Sequence, residues 1–222
     1  LGMLSNPLTE LPSVITTLAD ALVSLERIAH FLVAPELYLD QVVSYPEKAN
    51  PGEPSVKIVN TTFLWAPFKF SNEEDEMSSP QQALKDINFV ANKGELHCIV
   101  GKVGAGKSAF LTSILGKLYA VSGSGKETPR IEVHGLVAYC SQSPWILNST
   151  LKDNILFGHQ YEEDFYRQTI EACQLLPDLE ILPDGDNTFV GEKGITLLGG
   201  QKARLALARA VYSRADVYLL DD

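Results

Sequence analysis

Gly101-Lys102-Val103-Gly104-Ala105-Gly106-Lys107-Ser108 fits the pattern G-x-x-x-x-G-K-[ST]. It follows a short apolar run, Glu95–Val100, and opens an apolar helical stretch of about Lys107–Leu118. Glycine tolerates backbone angles that other residues resist, so successive N–H groups of such a turn can point inward at an anion. The N-terminus of the following helix adds about half a positive charge. Lys107 can then reach the β- and γ-phosphates of a nucleotide, and the Ser108 hydroxyl can ligate Mg2+. Far downstream, Asp221 ends the apolar run Val217–Leu220. A carboxylate at the C-terminal tip of a parallel strand lies in the ligand crevice of an α/β sheet, where it can hold Mg2+ through water. Alone, Asp221 reads as a strand-end cap; paired with the upstream turn it reads as the second half of a metal–phosphate site.

These groups need a scaffold, and the periodicity supplies one. Residues 56–65 and 84–91 alternate and are expected as antiparallel strands. Glu95–Val100, Val137–Cys140 and Val217–Leu220 read as short strands, the last one buried, and Gly200–Ser213 as an Ala/Leu/Arg helix. Residues 150–183 are mostly helical in pattern. Strands alternating with helices argue for an α/β layered domain around a parallel sheet. The acidic stretch Asn72–Glu76 reads as a solvated insertion. Pro35, Pro46, Pro51, Gly52 and Pro54 disfavour helix and strand, so 34–54 reads as a linker. Upstream, Leu11, Ile15, Leu18, Leu22, Leu25, Ala29 and Leu32 recur on one helical face. Charged residues interrupt that helix, so alone it makes a poor membrane span. The absence of a starting Met, and an apolar run at the far end, suggest a piece of a longer protein.

Composition narrows the function. The chain has 222 residues, 18 Lys plus Arg against 28 Asp plus Glu, and a net charge of -10. A basic nucleic-acid footprint is therefore absent. The three cysteines, Cys98, Cys140 and Cys173, have neither the number of a disulfide framework nor the spacing of a zinc site. They read as reduced, buried thiols.

With these residues in view, the chain resembles the first nucleotide-binding domain of an ATP-binding cassette transporter of the multidrug-resistance-associated (C) subfamily. The likeness covers about residues 55–222. Its motifs occur in order: a Walker A turn, GKVGAGKS; a Q-loop in Tyr139-Cys140-Ser141-Gln142-Ser143-Pro144-Trp145-Ile146; a pre-signature stretch, Val190-Gly191-Glu192-Lys193-Gly194; a signature, Leu197-Leu198-Gly199-Gly200-Gln201; and a Walker B strand ending at Asp221. Each is weak alone, and the ordered set is specific.

The resemblance implies a P-loop NTPase core with an antiparallel β subdomain and a helical subdomain at about 150–199. It implies that residues 1–33 end the last helix of a membrane domain on its cytoplasmic side, with 34–54 as linker and 55–222 as the cassette. ATP and Mg2+ are the implied ligands. Trp65 stands where the family stacks adenine, although an ordinary strand aromatic remains the alternative. Gly101, Gly104, Ala105, Gly106, Lys107, Ser108 and Ala109 would surround the phosphates. Ser108, Gln142 and Asp221 would hold the metal, and Gln142 would also position water. Leu198, Gly199, Gly200 and Gln201 would close over ATP held by a second nucleotide-binding domain, head to tail. Transmembrane domains with their coupling helices are the other implied partners, in a plasma or vacuolar membrane with this domain on the cytosolic face.

Two departures qualify the match. Leu198 replaces the usual signature serine, removing a hydroxyl worth about 1.5–3 kcal/mol to a charged, desolvated phosphate. Asp222 replaces the usual catalytic Glu and is one methylene shorter; misplacing a base by about an ångström can cost about 10²-fold. The implied activity is an ATPase coupled to export of organic anions or conjugates, weak or absent in this piece alone. The alternative is a regulatory, largely non-hydrolysing nucleotide-binding module of a transporter or channel.

Overall fold

The computed structural model describes residues 2–33, 42–66, 81–122, 130–192 and 196–221. Asp222, Lys193 and the acidic stretch 72–76 lie outside the described residues. The chain divides into two units, Leu1–Leu37 and Tyr38–Asp222.

The first unit is helix α1, Gly2–Val33. Hydroxyls of Thr16, Thr17 and Ser24 donate to the carbonyls four residues before them, which fits them into the helical ladder. The leucine face found by periodicity is present. Among the described residues no helix is long and apolar enough to cross a membrane.

In the second unit, β2 (Pro54–Ala66) and β3 (Gln81–Asn92) form the antiparallel pair that alternation required. Around them lie β1 (Val42–Tyr45), β4 (Tyr119–Ser122) and β5 (Arg130–His134), in the order β1-β5-β2-β3 with β4 on β2. The segment read as a linker therefore carries a strand. Val42, Val43, Ser44 and Tyr45 pair in parallel with Ile131 to His134, and Tyr45 stacks on His134 with ring centres 4.4 Å apart. The prolines lie outside those four residues, so the ladder keeps its donors.

Helix α2 (Lys107–Ile114) follows the glycine turn. It stops short of Leu118 because Gly116 turns left-handed, with φ of 70°. Strands β6 (Val137–Cys140) and β9 (Val217–Leu220) form a parallel pair, Cys140 opposite Leu220. Only Leu219 of β9 is buried, so the strand alternates instead of being buried throughout.

The parallel core is narrower than expected, because residues 95–100 have no strand structure. Leu96 is 89% exposed and Val100 92%. An apolar run becomes a strand only where a neighbour takes its backbone groups. Here Glu95 is committed to a local turn: its carboxylate accepts from the Asn92 side chain and backbone, at 3.0 and 2.9 Å, and these bonds hold its pKa down at about 2. Cys98 in this run is exposed, against expectation, whereas Cys173 is buried.

The remaining helices are α3 (Leu151–Leu156), α4 (Glu163–Ala172), α5 (Leu176–Ile181) and α6 (Gly199–Tyr212), with a short antiparallel pair, β7 (Ser149–Thr150) and β8 (Phe189–Val190). Two cores result. One joins α2 to the sheets through Ala109, Leu111, Ile114, Phe63, Ile131 and Leu219. The other gathers Leu151, Ile155, Ile170, Leu175, Val190, Leu197 and Leu205 from the helical part.

Candidate functional site

The glycine turn is built by backbone geometry that side chains would obstruct. Gly104 and Gly106 have φ of 81° and 93°, in the left-handed region. A Cβ on Gly106 would lie 2.9 Å from Leu84 Cδ2. The turn closes on itself: Ala105 N–H donates to Lys102 O at 3.1 Å, and Lys107 Nζ lies back across it onto the carbonyls of Gly101 (3.1 Å) and Lys102 (3.3 Å). Gly106 caps α2 without a side-chain acceptor, leaving the first-turn N–H groups available to an anion. Phe110 meets Phe89 edge to face at 5.0 Å, and Ala109 is buried beneath the turn.

Ser108 and Asp221, 113 residues apart, meet: the serine hydroxyl donates to Asp221 Oδ1 at 2.9 Å. The Asp221 N–H donates to Cys140 O at 2.9 Å, which fixes the carboxylate at the end of the β6–β9 pair. Tyr139 contributes a hydroxyl at 3.4 Å from Asp221 Oδ2. Burial, then the Asp221 charge, pushes the Tyr139 pKa up, so it stays a neutral donor. Asp221 is thus a buried carboxylate held by two neutral hydroxyls, with no basic side chain in ion-pair contact among the described residues. A carboxylate removed from water favours a cation beside it. One carboxylate plus one hydroxyl also suits Mg2+, which keeps waters and phosphate oxygens as its other ligands. Among the described residues no three His, Cys, Asp or Glu side chains could hold a metal by themselves.

Gln142 lies two residues beyond β6, on the strand end beside Asp221, in a loop braced by Ser141 Oγ donating to Ser143 O at 2.9 Å. Trp65 is half-exposed at the end of β2. It lies two residues beyond Phe63, whose strand partner Leu84 abuts Gly106.

Leu198, Gly199, Gly200 and Gln201 lie apart from this cluster, at the start of α6. Among the described residues no hydrogen bond joins them to the glycine turn or to Asp221. Leu197 is buried in the helical core, whereas Leu198 is exposed at the N-cap. A Cβ on Gly199 would meet nothing within 4 Å. The backbone N–H groups of this turn are therefore approachable. Gln201 is turned inward: its carboxamide oxygen accepts from Leu198 N–H at 2.9 Å, and its nitrogen donates to Asp178 Oδ1 at 3.2 Å.

Two groups escape a reading of the sequence. Tyr139 alternates like any strand aromatic, and nothing in its spacing announces Asp221. Asp178, buried in α5, takes a two-pronged bond from Arg204 of α6 at 2.7 and 2.8 Å. The Arg204 hydrogen bonds hold its carboxyl below the usual range. This pair ties α5 to α6, and its members are 26 residues apart with no motif joining them.

Comparison with known proteins points the same way. The family model described as ABC transporter matches residues 84–222. Bile pigment transporter 1 of Saccharomyces cerevisiae is 49% identical over 240 residues, covering 100% of this chain and 15% of the relative. Metal resistance protein YCF1 of the same yeast is 51% identical over 222 residues, covering 100% and 14%. ABC transporter C family member 6 of Arabidopsis thaliana is 43% identical over 220 residues, covering 99% and 14%. The chain thus spans about one seventh of the length of these curated relatives.

Proposed function

The chain belongs to the ABC transporter family, in its multidrug-resistance-associated (C) branch, and from that premise we propose that it is the first ATP-binding domain of an exporter of organic anions or conjugates. The observation that carries the reading is the bond between Ser108 and Asp221. It joins the hydroxyl at the end of the glycine turn to a buried carboxylate from the far strand, which supports a metal–phosphate site there.

In this reading Gly101, Gly104, Ala105, Gly106 and Ala109 shape the cradle, and Lys107 exchanges the Gly101 and Lys102 carbonyls for phosphate oxygens. Ser108, Asp221 and Gln142 would hold Mg2+, which supplies neutralisation of phosphate charge when bound. Tyr139 keeps Asp221 oriented. Trp65 would offer its exposed ring to the base. Asp222 would orient the attacking water, with turnover limited by its short side chain. Because the signature turn is open and separate from the cradle, Leu198 to Gln201 would serve a nucleotide held by a second domain, head to tail. Binding would then drive closure by its higher affinity for the closed state. Residues 1–33 would lead in from the membrane domain, and Gln142 would sense that domain's coupling helices. The assembled transporter would lie in a plasma or vacuolar membrane, with this domain on the cytosolic side.

The test is labelling by a photoreactive ATP analogue. Lys107→Ala should abolish labelling of this domain while leaving its fold, read by circular dichroism, unchanged. Labelling at the wild-type level would remove the phosphate cradle from the account.

A further inference from the structure

Arg209, in the last turn of α6, is tied to two other segments at once. Its Nε donates to Asn154 O at 2.9 Å and its Nη2 to Asn154 Oδ1 at 2.8 Å; its Nη1 donates to Trp145 O at 3.0 Å. The guanidinium carbon lies 5.2 Å from the centre of the Trp145 ring and 4.9 Å from that of Phe157. Those rings meet edge to face at 5.9 Å. Asn154 is fully buried, and extends the network by donating to Leu147 O and Thr150 O, both at 2.9 Å, and accepting from Leu147 N–H at 2.8 Å. Phe157 caps α3 in a left-handed conformation, with φ of 41°.

No carboxylate pairs with this cation among the described residues; carbonyl oxygens and two aromatic rings satisfy it. Burial depresses its pKa accordingly. The fixed fork of guanidinium suits such a junction, because its donors address Trp145 and Asn154 in one plane. Trp145 stands three residues after Gln142, and α6 begins with the signature glycines.

We propose that Arg209 is a positioning residue that locks the loop carrying Gln142 to the helix presenting Leu198–Gln201, so that the two move as one body during the nucleotide cycle. This rests on the reading of Gln142 and the signature turn given above. Arg209 does not touch nucleotide; it acts by keeping the response at Gln142 and the approach of the signature turn in step.

The experiment uses the full-length transporter in membrane vesicles. Arg209→Lys keeps the charge and loses the fork. It should leave photolabelling of this domain and the KM for ATP within twofold of wild type, while kcat of substrate-stimulated ATP hydrolysis falls about tenfold. A kcat within twofold of wild type would overturn the proposal. So would a fall of labelling in step with kcat, since that marks general loss of structure. Should Arg209→Lys fail to accumulate, Trp145→Leu carries the test, because it lifts one ring from the guanidinium and leaves every hydrogen bond in place. The same split at about threefold supports the clamp, and a wild-type kcat overturns it. Lys107→Ala runs alongside: if it labels like wild type, the ATP-binding reading has failed, and the proposal with it, whatever Arg209→Lys does.

Discussion

Leu198→Ser should stabilise this chain, and the gain can be worked from the start of α6. Leu198 has φ of -70° and ψ of 161°, the extended geometry of an N-cap. Half of a capping box is already present, because Gln201 Oε1 accepts from the Leu198 N–H at 2.9 Å. The reciprocal bond, from the Gln201 N–H to a cap side chain, is missing because leucine has no oxygen to accept it. A serine cap is worth about 1 kcal/mol over an apolar one. Leu198 is 74% exposed, so truncating it forfeits only about a quarter of a full leucine burial, about 0.5 kcal/mol. The net gain is therefore about 0.5 kcal/mol, and Leu198→Ala isolates the cap, since it suffers the same truncation without gaining an oxygen. Serine should melt above alanine by about 2–4 °C in a domain of this size. Thermal unfolding followed by far-ultraviolet circular dichroism measures this difference. If serine and alanine melt together, α6 does not begin with an open cap at Leu198. If, as proposed, Leu198 to Gln201 serve a nucleotide held by a second domain, the serine hydroxyl would also restore a donor there, and ATPase activity of the full-length transporter should rise.

Asp178→Asn should cost about 1–2 kcal/mol at neutral pH, discounted because Arg204 is partly solvated. The folded pKa of Asp178 is depressed, so its contribution is complete above the unfolded value of about 3.9 and is lost as pH falls through the folded value. The gap between the urea midpoints of wild type and variant should therefore hold from neutrality to about pH 4 and close below it, and a gap that persists at lower pH would refute the ion-pair account. Gly106→Ala should cost about 1–3 kcal/mol, because it combines a φ of 93° with a Cβ 2.9 Å from Leu84. Gly104→Ala shares the left-handed strain but meets nothing within 4 Å, so it should be the milder of the two in the same melt.

What the sequence discloses depends on how far each residue lies from its partner. The glycine turn was legible because glycines, lysine, hydroxyl and helix start fall within eight residues, and the β2–β3 pair because alternation is a local signal. Strand β1 was hidden, since the prolines around it are local and its partner Ile131–His134 is far along the chain. Glu95–Val100 misled for the converse reason: its apolar composition suits a strand, but Glu95 closes on Asn92 and no ladder forms among the described residues. Asp178–Arg204 and Asn154–Arg209 could not be read, because an arginine on a helix is solvated unless packing brings it a partner. The Ser108–Asp221 pair lies between these cases. Ser108 and Asp221 were each legible as a motif, but nothing in either motif makes them meet. They meet because Leu219, two residues before Asp221, shares a core with Ala109 and Ile114 of α2. The candidate site is therefore as stable as that apolar contact, and a lesion there would reach the proposed nucleotide cradle without touching any residue proposed to hold a phosphate.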